Sequence, residues 1–169
     1  TYSGLNLPSW LTFNSVSQVL SGTPTNENVG KHAITLLAVD SKNEASTQKF
    51  TLTVMNVNDA PVISSTPITT ATEDTVYSYS INATDVDKDD TLTYTATTLP
   101  SWLNLNSSTG LISGTPSNDD VGTHSVNLTA TDSAKAFDSQ IFTITVENVN
   151  DAPVISSTPI TIATEDELY

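Results

Sequence analysis

A block of this sequence returns, without a gap, 92 residues further along. Leu7-Pro8-Ser9-Trp10-Leu11 recurs as Leu99-Pro100-Ser101-Trp102-Leu103, and Ser21-Gly22-Thr23-Pro24 as Ser113-Gly114-Thr115-Pro116. Val57-Asn58-Asp59-Ala60-Pro61 recurs as Val149-Asn150-Asp151-Ala152-Pro153. Between residues 1–77 and 93–169, 45 of the 77 aligned pairs are identical. A period this long exceeds the rung of a solenoid, about 20–45 residues. It has the size of a small domain, so the pattern predicts beads on a string. The Asn-Asp-Ala-Pro segments are the natural boundaries, because Pro removes a backbone donor and stiffens the chain. Residues 1–59 then read as a partial repeat lacking its first strands. Residues 60–151 are one complete repeat, and residues 152–169 the start of a third. The chain begins and stops in mid-pattern and reads as a piece of something longer.

The local pattern is that of strands. Val, Ile and Leu alternate with Thr, Ser and Asn, helical periodicity is missing, and turn residues recur at short intervals. In the complete repeat, strands are expected at Pro67–Thr72, Val76–Thr84, Thr91–Thr97, Trp102–Leu105, Leu111–Gly114, His124–Thr131 and Gln140–Val146. Tyr77, Tyr79 and Ile81, Val126 and Leu128, and Phe142, Ile144 and Val146 alternate inward. The fold class is therefore all-β, a two-sheet sandwich repeated in tandem every 92 residues. Trp10 and Trp102 follow Pro-Ser in both repeats. They read better as core residues under a Pro-anchored turn than as an exposed platform for a sugar ring. His32 and His124 stand at equivalent strand positions and read as structural.

Charge narrows the chemistry. Nineteen Asp and Glu face five Lys and no Arg, for a net charge of −14 at pH 7. That balance excludes nucleic acid as a partner and suits multivalent cations. No run of apolar residues is long enough to span a bilayer, so no direct membrane insertion is expected of this segment. Without cysteine there is neither a disulfide frame nor a thiolate metal site. Another staple is then expected for a small domain. The acids are not spread evenly. Asp85, Asp87, Asp89 and Asp90 fall within six positions, Asp132 opens the loop between the last two strands, and Asn56, Asn58 and Asp59 lie on the entry linker. In a sandwich of this connectivity these three segments converge at one end. At the other end stand Asn118, Asp119 and Asp120, the exit linker Asn148, Asn150 and Asp151, and Glu73. Carboxylates and carboxamides are hard oxygen ligands, and six to eight of them make a Ca²⁺ site. An EF-hand loop starting at Asp85 is ruled out, because its sixth position is Asp90 rather than Gly and its twelfth is Ala96 rather than Glu. No carboxylate pair suggests a glycosidase cleft. Asn82, Asn106 and Asn127 sit in glycosylation sequons, which a bacterial source leaves bare.

Asn-x-Asn-Asp before Ala-Pro, a Glu twelve residues beyond that Pro, Asp85-x-Asp87 and Ala130-x-Asp132 together resemble the cadherin repeat. The Leu-Pro-Ser-Trp-Leu and Gly-Leu-Ile-Ser-Gly-Thr-Pro runs are similar to the dystroglycan-type cadherin-like and Putative-Ig modules of large bacterial surface proteins. The resemblance implies an Ig/cadherin-like Greek-key β-sandwich with calcium at each junction. By resemblance, Asn56, Asn58, Asp59, Asp85, Asp87 and Asp132 serve the first junction, helped by Glu27 or Asn28 of the preceding repeat. Glu73, Asn118, Asp120, Asn148, Asn150 and Asp151 serve the second. The linker opens with Asn where the family usually has Asp, and Asn118-Asp119-Asp120 stands where the family has Asp-Arg-Glu. Fewer charges imply one to three ions per junction at the weak end of the range, about 10⁻⁴–10⁻³ M. The expected role is non-enzymatic: a rigid spacer of an extracellular or cell-surface protein, bacterial in origin, whose first partners are neighbouring repeats. The alternative is an adhesion module that binds a cell-surface glycan or protein.

Overall fold

The computed structural model describes residues 1–169, and its elements are β-strands joined by turns. In chain order they are β1 (Tyr2–Leu5), β2 (Leu11–Asn14), β3 (Val19–Gly22), β4 (Gly30–Val39), β5 (Ala45–Val54), β6 (Val62–Ile63), β7 (Thr70–Thr72), β8 (Tyr77–Ser80), β9 (Ala83–Thr84), β10 (Thr93–Thr98), β11 (Asn104–Leu105), β12 (Leu111–Gly114), β13 (Gly122–Thr131) and β14 (Phe137–Glu147). Short 3₁₀ turns at Asn26–Asn28 and Asn118–Asp120 precede β4 and β13. β3 and β4 lie 92 positions before β12 and β13, residue for residue.

One sheet runs β10-β13-β14-β7, and the facing sheet β11-β12-β8. β13 and β14 pair antiparallel along ten positions, from Gly122↔Val146 to Thr131↔Phe137. β7 closes the edge by pairing parallel with the end of β14, Thr70 against Thr145. The inward residues form a core of 13 buried side chains, among them Tyr77, Tyr79, Ile81, Ile112, Val126, Leu128, Phe142, Ile144 and Val146. The alternation read from the sequence accounts for them, since side chains two apart share a face. Residues 1–59 bury far less, with Leu11 and Ile34 alone reaching the interior. Within this chain they have no counterpart of β7 and β8 to cover them.

The strand expected over Val76–Thr84 is two strands. Ile81 still follows the β12 register, its N–H donating to the Gly110 carbonyl at 3.0 Å, but the Asn82 N–H turns away to Ser65 Oγ at 3.0 Å. β8 pairs with β12, whereas β9 pairs with β6, a two-residue strand that the sequence reading did not anticipate. The opening segment is pinned by Tyr79. Its hydroxyl donates to Gln140 Oε1 at 2.7 Å and meets Ser65 Oγ at 2.7 Å, and Gln140 Nε2 donates to the Ser65 carbonyl.

Residues 152–169 form no strand, although they nearly copy residues 60–77, which contribute β6 and β7. Val154 and Ile155 are 88% and 89% exposed. Strand formation here is decided by an available partner rather than by local propensity.

Tyr77 supplies a prediction. Its hydroxyl donates to the Ile68 carbonyl at 2.8 Å inside the sandwich. Burial, reinforced by the neighbouring Tyr79, pushes its pKa up to about 12. A raised folded pKa gives stability that is full below the unfolded value of about 10 and is lost as pH rises toward the folded one. Urea midpoints should therefore fall steadily between pH 10 and 12. Tyr77→Phe should flatten that decline, and an unchanged slope would show that Tyr77 is not its source.

Candidate metal centre

The β9–β10 loop carries Asp85, Val86, Asp87, Lys88, Asp89 and Asp90. Asp89 adopts φ 69°, a left-handed conformation that Asp tolerates better than most residues. The chain doubles back there, and one carboxylate oxygen each from Asp85, Asp87 and Asp90 come within 4.8 Å of one another. Each acid uses one oxygen to brace the structure. Asp85 Oδ1 accepts the Asp87 N–H at 2.9 Å, and Asp87 Oδ2 accepts the Asp59 N–H at 2.8 Å. Asp90 Oδ1 accepts from Ser133 Oγ and from the Thr91 N–H. These bonds, led by the Ser133 hydroxyl, hold Asp90 below the ordinary carboxylate range.

The second oxygens matter more. Asp85 Oδ2 and Asp87 Oδ1 are buried and have no hydrogen-bond partner. Leaving such an atom unsatisfied costs about 1–3 kcal/mol, more for a charged group. Native structures seldom accept that cost without a ligand, water or ion to offset it.

The linker and the β13–β14 loop close the same end. Asn58 Nδ2 donates to Asp132 Oδ2 at 2.8 Å, and Asp132 Oδ1 accepts the Ala136 N–H at 2.8 Å. Asp132 is 1% exposed. From the preceding repeat, Asn26 Nδ2 donates to Asp59 Oδ2 at 2.7 Å. Asn26, Glu27, Asp59, Asp85, Asp87 and Asp90 line one cleft between the two repeats. Asn28 is turned away, since its Oδ1 accepts from the Thr25 N–H at 2.8 Å and caps its own 3₁₀ turn.

At the opposite end Glu73 is 1% exposed. Its Oε2 accepts the Val149 N–H of the exit linker at 3.0 Å, and its Oε1 is buried without a partner. Asn118 Nδ2 donates to Asp151 Oδ2 at 2.6 Å, repeating the Asn26–Asp59 bond of the first junction. Asn150 Nδ2 donates weakly to the Asp151 carbonyl at 3.4 Å. Asp120 Oδ2 accepts both the N–H and the hydroxyl of Ser117, at 2.8 and 2.7 Å. Those bonds, the N–H first, hold Asp120 below its ordinary range. The His124 ring donates to the Asp120 carbonyl at 2.6 Å. Asn56 and Asn148 are exposed, and their side chains make no hydrogen bond to either group.

Asp85, Asp87, Asp132, Asn58 and Asp59 thus gather at the entry end, and Glu73, Asn118, Asn150 and Asp151 at the exit. The sequence reading missed one acid of the cluster, Asp90, which falls outside the Asp-x-Asp spacing and returns to it only through the turn at Asp89. It named Glu27 or Asn28 where Asn26 makes the hydrogen bond across the junction. The donor set is oxygen alone, with orphaned buried carboxylate atoms, which fits a hard divalent cation such as Ca²⁺.

The tryptophans belong to the packing. Trp102 is half-buried and meets Tyr77 and His124 edge-on, with ring centroids 5.8 and 6.1 Å away. Trp10 meets His32 in the same way at 5.5 Å.

Comparison with known proteins agrees with this architecture. The chain is 35% identical over 131 residues to the serine-rich adhesin for platelets of Staphylococcus aureus strain USA300, and a similar match is found in strain MRSA252. The matched region is 76% of this chain but 5% and 9% of those proteins, so the chain spans a small fraction of either. Among solved structures, mouse cadherin-23 repeats EC22–24 superpose with a TM-score of 0.63 at 18% identity, over 88% of this chain and 52% of that one. The extracellular cadherin domains 1–5 of protocadherin gamma B2 give 0.63 at 19% identity, over 89% and 33%. The family model described as "Putative Ig domain" matches twice, over residues 1–55 and 60–147. With most of its length accounted for in this way, the chain belongs to the Putative Ig domain family, built on an Ig/cadherin-like sandwich.

Proposed function

We propose that this chain is a calcium-stiffened spacer of a large adhesin displayed on a bacterial cell surface, without catalytic activity of its own. The observation that carries the proposal is the set of buried, unpartnered carboxylate oxygens on Asp85, Asp87 and Glu73, at the two ends of one sandwich. All three belong to residues that also grip a linker or the loop beside it. A cation there neutralises mutually repelling carboxylates and locks the linker to the sandwich in one event. Residues 60–151 act as the complete mechanical unit, and the Asn-Asp-Ala-Pro segments as the joints. The similarity to a staphylococcal adhesin supports the placement at the cell surface.

A second reading, direct adhesion to a cell-surface protein or glycan, draws on the name of that same relative. The packing of both tryptophan rings against histidine weighs against a sugar platform. Solution scattering and calorimetric melting in calcium and in EDTA test the first reading. Calcium should lengthen and sharpen the scattering profile and raise the melting temperature, with magnesium substituting poorly because it dehydrates reluctantly and demands an octahedron. Coincident profiles and melts in the two buffers would refute it. Tryptophan fluorescence that responds to a glycan but not to calcium would favour the second reading.

A further inference from the structure

We infer that Asp90 is a direct cation ligand, and that the Asp85–Asp90 loop binds its ion within a single repeat, before and independently of the junction with the repeat in front. The inference rests on the reading that a hard cation binds at this end. Three observations carry it. The ligand atoms of Asp85, Asp87 and Asp90 lie within 4.8 Å of one another. Oxygens bound to one Ca²⁺ at about 2.3–2.6 Å can be no further apart than about twice that distance. One ion can therefore reach all three with at most a small movement of the loop. Asp87 is 7% exposed and its Oδ1 is buried without a partner, so the cluster already holds a buried carboxylate atom that lacks anything to offset its burial. Lastly, the hydrogen bonds to Asp90 all fall on Oδ1, from Ser133 and Thr91, leaving Oδ2 with no partner of its own.

None of these atoms comes from the preceding repeat. That repeat reaches the cleft through Asn26, which donates to Asp59, and through Glu27, which lines the cleft outside the three-acid cluster. The loop of one repeat captures the ion and, through Asp87, fixes Asp59; the Asn26–Asp59 bond then passes that order to the preceding repeat.

Calorimetric titration of calcium into the 169-residue chain decides the matter. Asp90→Asn keeps an oxygen for Ser133 and Thr91 but removes the charge, and should weaken the tighter binding event about tenfold, since ligand charge sets affinity at such sites. Asn26→Ala should leave that event within about twofold of the parent. In EDTA, Asp90→Asn should melt slightly lower than the parent, because the charged carboxylate accepts from Ser133 and Thr91; in calcium the gap should widen clearly. A ligand produces that widening, whereas a mere brace costs the same in both buffers. If Asp90→Asn binds like the parent while Asp87→Asn does not, Asp90 is no ligand, yet the spacer reading stands. If Asn26→Ala weakens binding as much as Asp90→Asn, the site is shared between repeats and the inference falls. If the parent chain binds no calcium, both fall together.

Discussion

Replacing Gly114 with Ala should cost the middle sandwich about 3–5 kcal/mol, at the upper end of what one methyl group can do. A Cβ built on Gly114 would stand 1.8 Å from the Trp102 carbonyl oxygen and 2.9 Å from its carbon. Neither is the end of a flexible side chain, so relief requires moving a strand. β12 pairs with both β11 and β8, and Ile112 is fully buried between the sheets, so the strand has nowhere to go. The recurring Ser-Gly-Thr-Pro and Leu-Pro-Ser-Trp-Leu motifs are in this sense one feature, the first leaving room for the backbone of the second. Gly22 repeats the arrangement, with a Cβ 2.0 Å from the Trp10 carbonyl oxygen. A domain of this size holds about 5–15 kcal/mol in total, and its melting temperature shifts by about 4–8 °C per kcal/mol. Gly114→Ala should therefore lower the calorimetric midpoint by about 15–30 °C, whereas Ser78→Ala, on the exposed face of the paired strand, should move it little. A Gly114→Ala protein melting within a few degrees of the parent would show that the close approach is not a constraint.

Asp87→Asn and Glu73→Gln should lose different calcium events. Each substitution keeps an oxygen for the linker amide it holds, Asp59 or Val149, and removes one charge from one end of the sandwich. An ion that binds only the folded form adds about 2.7 kcal/mol at a hundredfold excess over Kd. With weak sites and a few millimolar calcium, about 1–2 kcal/mol per site is the realistic gain. Asp87→Asn should abolish the calcium response of the angle between residues 1–59 and 60–151. Glu73→Gln should leave that angle alone and remove whatever event occurs around Asp151. Loss of one and the same event in both variants would mean that the ligands are wrongly divided between the ends.

Much of this was legible in the sequence, for reasons that can be located. The core followed from alternation, because inward positions on β8, β13 and β14 must be apolar whatever the loops do. The entry end followed from the connectivity of a sandwich, which brings the Asp85 loop, Asp132 and the linker to one end. The break after Ile81 did not, since it depends on Ser65, which is distant in sequence. β6 escaped notice because two residues after a proline form a strand only when Thr84 is there to receive them. The role of Asp120 was open to a closer reading. Ser117 and Asp120, like Thr25 and Asn28, have the three-residue spacing of a capping box, which commits the second side chain to its own turn.

The parallel pairing of β7 with β14 also dictates an order of events during synthesis. Thr70 leaves the ribosome early but pairs with Thr145, near the end of the same repeat. β7 must wait unpaired until nearly the whole repeat has been made. Closure over that distance carries an entropic cost before any contact repays it. Each repeat should thus fold late and in one step, and a nascent or exported array should contain finished beads with one unfinished bead at its growing end. For anyone expressing pieces of such an array, a cut between β7 and β14 separates the two strands that must meet.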